Sequence, residues 1–173
     1  SATPMREGLA RLVATGLVEA LGQRGFRALP ISMEDLADIQ RMRHWVEVEG
    51  LRLSIQRGDI DWEQGIVAAL HKLKSLSVVR DNPTPQGDRI EPLFDHAHKA
   101  FHTALIAACG SPRLLAAHSD LHDQLYRYRV LLRLVPRSKA ATDRDHGELT
   151  RLALARDFDA ASAFLHEHID RPA

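Results

Sequence analysis

Residues 31–57 read ISMEDLADIQRMRHWVEVEGLRLSIQR, and the apolar spacing within them decides the fold class. Ser32 stands before Glu34 and Asp35 as an N-cap stands before the acidic first turn of a helix, with Ile31 and Leu36 placed to staple across it. Leu36, Ile39, Arg43, Val46 and Gly50 then fall on one face. A period of 3.6 sustained this far predicts one long helix from Met33 to Arg57.

The same period continues to the end of the chain. It predicts helices over about 61–78, 89–109, 112–134, 142–156 and 158–169. Breaks fall at Gly58-Asp59, the stretch RDNPTPQGD, Gly110-Ser111-Pro112, Pro136 and Asp157-Phe158. Six helices joined by short connections imply an antiparallel bundle. Upstream the pattern differs. TPMREGLARL has Thr3 as an N-cap and Pro4 at the first helical position, with Leu9, Leu12 and Val13 on one apolar face. GLVEALGQRGFRALP reads as two short strands around Gln23-Arg24-Gly25, bounded by Gly16 and Pro30. The expected fold is therefore all-α, a bundle of six to seven helices after a small hairpin, with one division at 1–30 and another at 31–173.

Composition narrows the function classes. With 173 residues and 45% hydrophobic content, the chain is large enough for a real core. Every long apolar stretch is interrupted by Arg, Asp or His, so no membrane role is expected. The single cysteine, Cys109, excludes a disulfide framework and points to a reducing cytoplasm. Net charge is zero, but residues 1–30 carry four Arg against two Glu, which places any nucleic-acid contact there.

The ten histidines are the unusual feature. In EPLFDHAHKAFHTALIAACG, the residues Phe94, His98, Phe101, His102 and Leu105 form one stripe with Asp95 at its edge, while His96 points away. Imidazoles four residues apart project the same way, about 6 Å apart along the axis, as a shared metal requires. His118 and His122 form a second such pair beside Leu114, Leu121 and Leu125. A metal wants further ligands from other elements. His146, in register with Leu149, Thr150 and Ala153, and His168, on a face with Ala161, Phe164 and Leu165, supply inward imidazoles from two more helices. A core histidine bonded to a carbonyl or carboxylate is the competing reading for each.

Taken together, these features resemble the GntR family of transcription regulators, FadR subgroup, with an FCD-type helical domain and an N-terminally truncated winged helix-turn-helix. TPMREGLARLVATGLVEALGQRGFRALPIS resembles the recognition helix and wing, S-x-x-P-V-R-E-A-L followed by G-L-V and Q-R-G-F-x-V, with Met5 and Gly8 as mild departures. RHWVE resembles R-x-x-L-E of the first effector-domain helix, and DHGELTRLALARDFDAASAFLHEHI is similar to the family's last two helices.

The resemblance implies a metal set at His98, His102, His146 and His168, with His98 standing where the family usually has Asp. Asp95, one turn earlier, is then an outer partner or an alternative ligand. Four imidazoles favour Zn or Ni; Mn is compatible but loses the carboxylate it prefers. The resemblance further implies a small carboxylate, hydroxy acid or sugar acid effector. Arg43 and Arg129, both on apolar stripes, are the candidates to grip it by paired hydrogen bonds. Glu47, Glu91 and Glu167 are expected to face solvent. Operator DNA would meet Thr3, Arg6 and Arg11 on the recognition helix and Arg24 and Gly25 at the wing tip. The expectation is a homodimeric, metabolite-responsive regulator rather than an enzyme. A metal-dependent helical hydrolase or oxygenase is the alternative.

Overall fold

The computed structural model describes residues 2–14, 17–81, 90–131 and 139–170. In chain order it contains α1 (Ala2–Ala14), β1 (Val18–Ala20), β2 (Phe26–Ala28), α2 (Met33–Arg57), α3 (Ile60–Asp81), α4 (Ile90–Leu105), α5 (Pro112–Leu131), α6 (Lys139–Leu154) and α7 (Phe158–Asp170). This is an all-α bundle preceded by a helix and a small antiparallel hairpin, in which Val18 pairs with Ala28 and Ala20 with Phe26. Between the strands, Gly25 takes a φ of 97°, a left-handed value that a side chain would resist.

Helix starts follow from local chemistry. Ser32 Oγ accepts the Asp35 amide at 3.0 Å, and the carboxylates of Asp59 and Asp157 accept the amides of Trp62 and Ala160 at 3.1 Å each. Ser111 Oγ accepts the Leu114 amide at 3.3 Å. At its far end α2 stops at Gly58, whose amide returns to the Ser54 carbonyl at 2.7 Å. Several boundaries differ from the sequence reading; α3 runs on to Asp81 and α6 already starts at Lys139. The helix α1 already includes Ala2, so Thr3 lies within its first turn rather than capping it. The helix α4 ends at Leu105, and Ala107–Cys109 forms a 3-10 turn closed by the left-handed Gly110. Trp62 of α3 takes the carbonyls of Ala104 and Leu105 through its indole N–H, at 3.1 and 3.3 Å, and so fixes that end. Pro136, expected to break a helix, lies outside the described residues.

In the bundle, α2 lies against α5 and α7, α3 against α4 and α6, and α6 against α7. Leu51, Ile66, Leu73, Phe101, Leu105, Leu149 and Leu165 form the main core. A smaller cluster of Leu36, Ile39, Leu125 and Tyr128 joins the start of α2 to the end of α5. Gly50 allows a close approach of α2 to the chain after α4: a Cβ there would meet Ile106 Cβ and Cγ2 at 2.9 Å. Among the described residues no helix is long and apolar enough to cross a membrane.

Candidate metal centre

The arrangement of helices α4, α6 and α7 brings four imidazoles together. Donor atoms of His98, His102, His146 and His168 all lie within 4.8 Å of one another. His102, His146 and His168 are buried and His98 is half-buried. Ring centroids stand 4.7 Å apart for His98 and His102, 5.0 Å for His98 and His146, and 4.8 Å for His146 and His168.

Hydrogen bonds determine which nitrogen carries the proton on two of these rings. His102 Nδ1 lies 2.9 Å from Glu47 Oε2, an acceptor, so Nδ1 is the donor and Nε2 keeps the lone pair. His146 Nδ1 lies 2.7 Å from the Thr142 carbonyl, which assigns its Nε2 the same role. A carboxylate or carbonyl behind an imidazole is the usual means of orienting a metal ligand. His168 Nε2 sits 3.3 Å from His102 Nε2, close to the roughly 3.3 Å that tetrahedral ligand nitrogens around zinc require at Zn–N lengths of about 2.0–2.1 Å. On the far side of that ring, Asp145 Oδ2 stands 3.9 Å from Nδ1. The donor set therefore fits a divalent, imidazole-preferring ion.

Protonation state agrees with this fit. Burial holds His98, His122 and His168 well below the usual imidazole value, with neighbouring imidazoles and, at His122, the Arg43 guanidinium adding to the effect. His102 is also lowered by burial, against the pull of Glu47. Neutral rings are the form that ligates.

Glu47 is the residue that the sequence reading misplaced. It is not at the surface but 1% exposed, one turn beyond the equally buried Arg43, whose Nε donates to Glu47 Oε1 at 2.7 Å. Burial alone would raise its pKa; Arg43 and then His102 outweigh that and hold the carboxyl well below its usual range. His118 Nδ1 and His122 Nε2 approach the same oxygen at 3.6 and 3.8 Å. The second histidine pair is thus buried around Glu47, and Glu47, His102 and His122 form a further group with donor atoms within 4.8 Å. The Arg43 charge already compensates Glu47 there, which disfavours a second cation.

Other predicted residues take varied positions. The Asp95 carboxylate binds Arg129 of α5. Burial raises the Asp95 pKa even with that guanidinium against it. Arg43 turns Nη2 toward His122 Nε2 at 3.5 Å. Glu167 is exposed, and the Glu91 side chain lies outside the described residues, as does that of Thr3. Arg6, Arg11 and Arg24 are exposed on α1 and at the wing tip, beside Gly25.

Comparison with known proteins gives a consistent picture. The FCD domain matches residues 38–171. The chain is 35% identical over 173 residues to the HTH-type transcriptional repressor GlaR of Escherichia coli, covering 98% of this chain and 76% of the relative. It is 34% identical over 166 residues to BphR of Paraburkholderia xenovorans, described as an uncharacterized HTH-type transcriptional regulator, covering 96% of this chain and 66% of the relative. A crystal structure of a GntR-family transcriptional regulator from Pseudomonas syringae pv. tomato is similar with a TM-score of 0.62 and 25% identity, over 99% of this chain and 67% of that one.

Proposed function

Because this chain belongs to the GntR family of transcriptional regulators and carries the FCD domain, we propose that it is the metal- and metabolite-sensing part of a DNA-binding regulator of the FadR subgroup. On this reading residues 1–30 are the C-terminal part of a winged helix-turn-helix, and 31–173 form the sensing and dimerising domain of a cytoplasmic homodimer. The relatives compared are regulators by name, so the family argues against the hydrolase or oxygenase alternative.

The observation that carries the metal assignment is the set of four histidine donors from three helices, two of them with the proton fixed on Nδ1. His98, His102, His146 and His168 would hold the ion. Zn or Ni suits neutral imidazoles better than Mn. When bound, the ion supplies positive charge and Lewis acidity for one oxygen of a carboxylate, hydroxy acid or sugar acid. Arg129, now paired with Asp95, would grip the other end by exchanging that carboxylate for the incoming one. Arg43 contributes through Glu47, which fixes the His102 ring, and by the guanidinium edge it turns to His122. Arg6 and Arg11 on α1 and Arg24 and Gly25 on the wing would meet operator DNA, together with Thr3.

The test is elemental analysis followed by calorimetry. The chain is expected to hold about one divalent ion, because the four donors converge on one place. His102→Ala abolishes binding, whereas His118→Ala weakens it far less; equal losses would disprove the choice of donors. Titration with dicarboxylates, hydroxy acids and sugar acids should give heats with the metal-loaded chain only. Failure of every anion, or equal affinity without metal, would sink the effector reading.

A further inference from the structure

Three consecutive residues near the end of α5 reach two distant parts of the chain. Arg129 pairs with Asp95 on α4, three residues before His98. Tyr128, fully buried, donates its hydroxyl hydrogen to Asp35 and accepts the Ser32 amide at 3.3 Å. Arg127 donates Nη1 to the Leu29 carbonyl at 3.1 Å and Nη2 to Asp35 at 3.3 Å. Leu29, Ser32 and Asp35 mark the junction where β2, ending at Ala28, passes into α2. The Tyr128 ring packs in the same place, in the cluster with Leu36, Ile39 and Leu125.

We propose that Arg127, Tyr128 and Arg129 form a latch by which the histidine site sets how firmly the junction between the wing and α2 is held to the bundle. Successive residues on a helix project about 100° apart, so one short turn can touch α4 and the junction together, and any rotation of that turn shifts both contacts. Asp95 holds Arg129 toward α4 in the structure. A carboxylate that draws the guanidinium away releases Asp95 and repositions the turn, and the bonds to Ser32, Asp35 and Leu29 change with it. The last step rests on the proposed effector chemistry; the mechanical link between the Asp95–Arg129 pair and the junction does not.

Hydrogen exchange on the full chain reads this link directly, because the Ser32 amide is one of the latch bonds. Asp95→Asn and Arg129→Gln break the ion pair from either side, Asp95→Glu keeps a carboxylate, and Tyr128→Phe removes the hydroxyl at the junction. Peptides covering 31–36 should exchange about tenfold faster in Asp95→Asn, Arg129→Gln and Tyr128→Phe, near the parent rate in Asp95→Glu, with α3 peptides unchanged in all four. The latch is overturned if 31–36 stays as slow as in the parent in both ion-pair variants while Tyr128→Phe speeds it. Loss of protection in Asp95→Glu equal to that in Asp95→Asn, or a general rise that includes α3, overturns it as well. The expected exchange pattern without carboxylate binding in the calorimetric panel supports the latch and removes the effector reading alone.

Discussion

Acidifying the metal-free protein should unfold it well above the pH at which its carboxylates titrate. Burial holds His98, His122 and His168 well below the usual imidazole value of 6.5. In the unfolded chain the same rings take up protons as the pH falls through that value, while in the folded chain they stay neutral. The unfolded state therefore binds more protons, and stability rises with pH in this window. The contribution of these rings is fully present above 6.5 and is lost progressively below it. Each such ring contributes a slope of about 1.4 kcal/mol per pH unit once its unfolded form is charged, so three give a ceiling of about 4 kcal/mol per unit. A domain's whole stability is about 5–15 kcal/mol, so two units of acidification remove much of it. Glu47, held low by Arg43 and His102 against the effect of burial, keeps its own contribution until the pH passes below the usual carboxylate value of 4.5. Urea unfolding followed by far-ultraviolet circular dichroism in a chelator, at steps from pH 7.5 to 5.5, measures the slope. His122→Phe should reduce it by about one ring's share, about 0.7 kcal/mol per unit averaged over this range, where the unfolded ring is only partly charged. A midpoint that is flat or rises on acidification would show that the rings are not buried neutral.

Two further outcomes test the packing around the site. Glu47→Ala leaves Arg43 buried without its carboxylate and should cost about 3–5 kcal/mol, whereas Arg43→Met combined with Glu47→Leu should be more stable than Glu47→Ala alone; additive losses in urea titrations would mean the pair is not coupled. Gly50→Ala places a Cβ 2.9 Å from Ile106 and 3.0 Å from Leu114 Cδ2, and should cost about 1–3 kcal/mol by overpacking; an unchanged unfolding midpoint would show that the crossing yields freely.

The sequence carried those features that depend on one helix at a time. Ser32 and its acidic turn predict the start of α2, Gly58 its end, and 3.6-residue spacing predicts that His102, His146 and His168 face inward. What it did not carry depends on neighbours far along the chain. Glu47 lies on the same stripe as Arg43, and an i, i+4 charge pair is ordinarily solvated. Its burial follows from His102 on α4 and His118 and His122 on α5, which close over it. The early end of α4 likewise depends on Trp62 from α3. Periodicity assigns a side chain to a face of its own helix; which helix covers that face is decided by packing.

Charge accounting shows how the parts of the site depend on one another. Arg43 with Glu47, and Arg129 with Asp95, are each neutral overall, and burial favours the neutral form of His98, His102 and His168. In the proposed metal set, His98 stands where the resemblance implies an aspartate and brings no negative charge. On the proposed function, a divalent ion held by these rings leaves about two positive charges in a dry interior, where uncompensated charge is costly. A carboxylate ligand removes part of that charge, and Arg129 then engages it in place of Asp95. Metal and anion should consequently raise each other's affinity by the same factor, as linkage requires. On this proposed function, the His98 exchange favours a site whose metal affinity rises when an organic acid is bound, and this mutual enhancement is what a sensor of such acids would use.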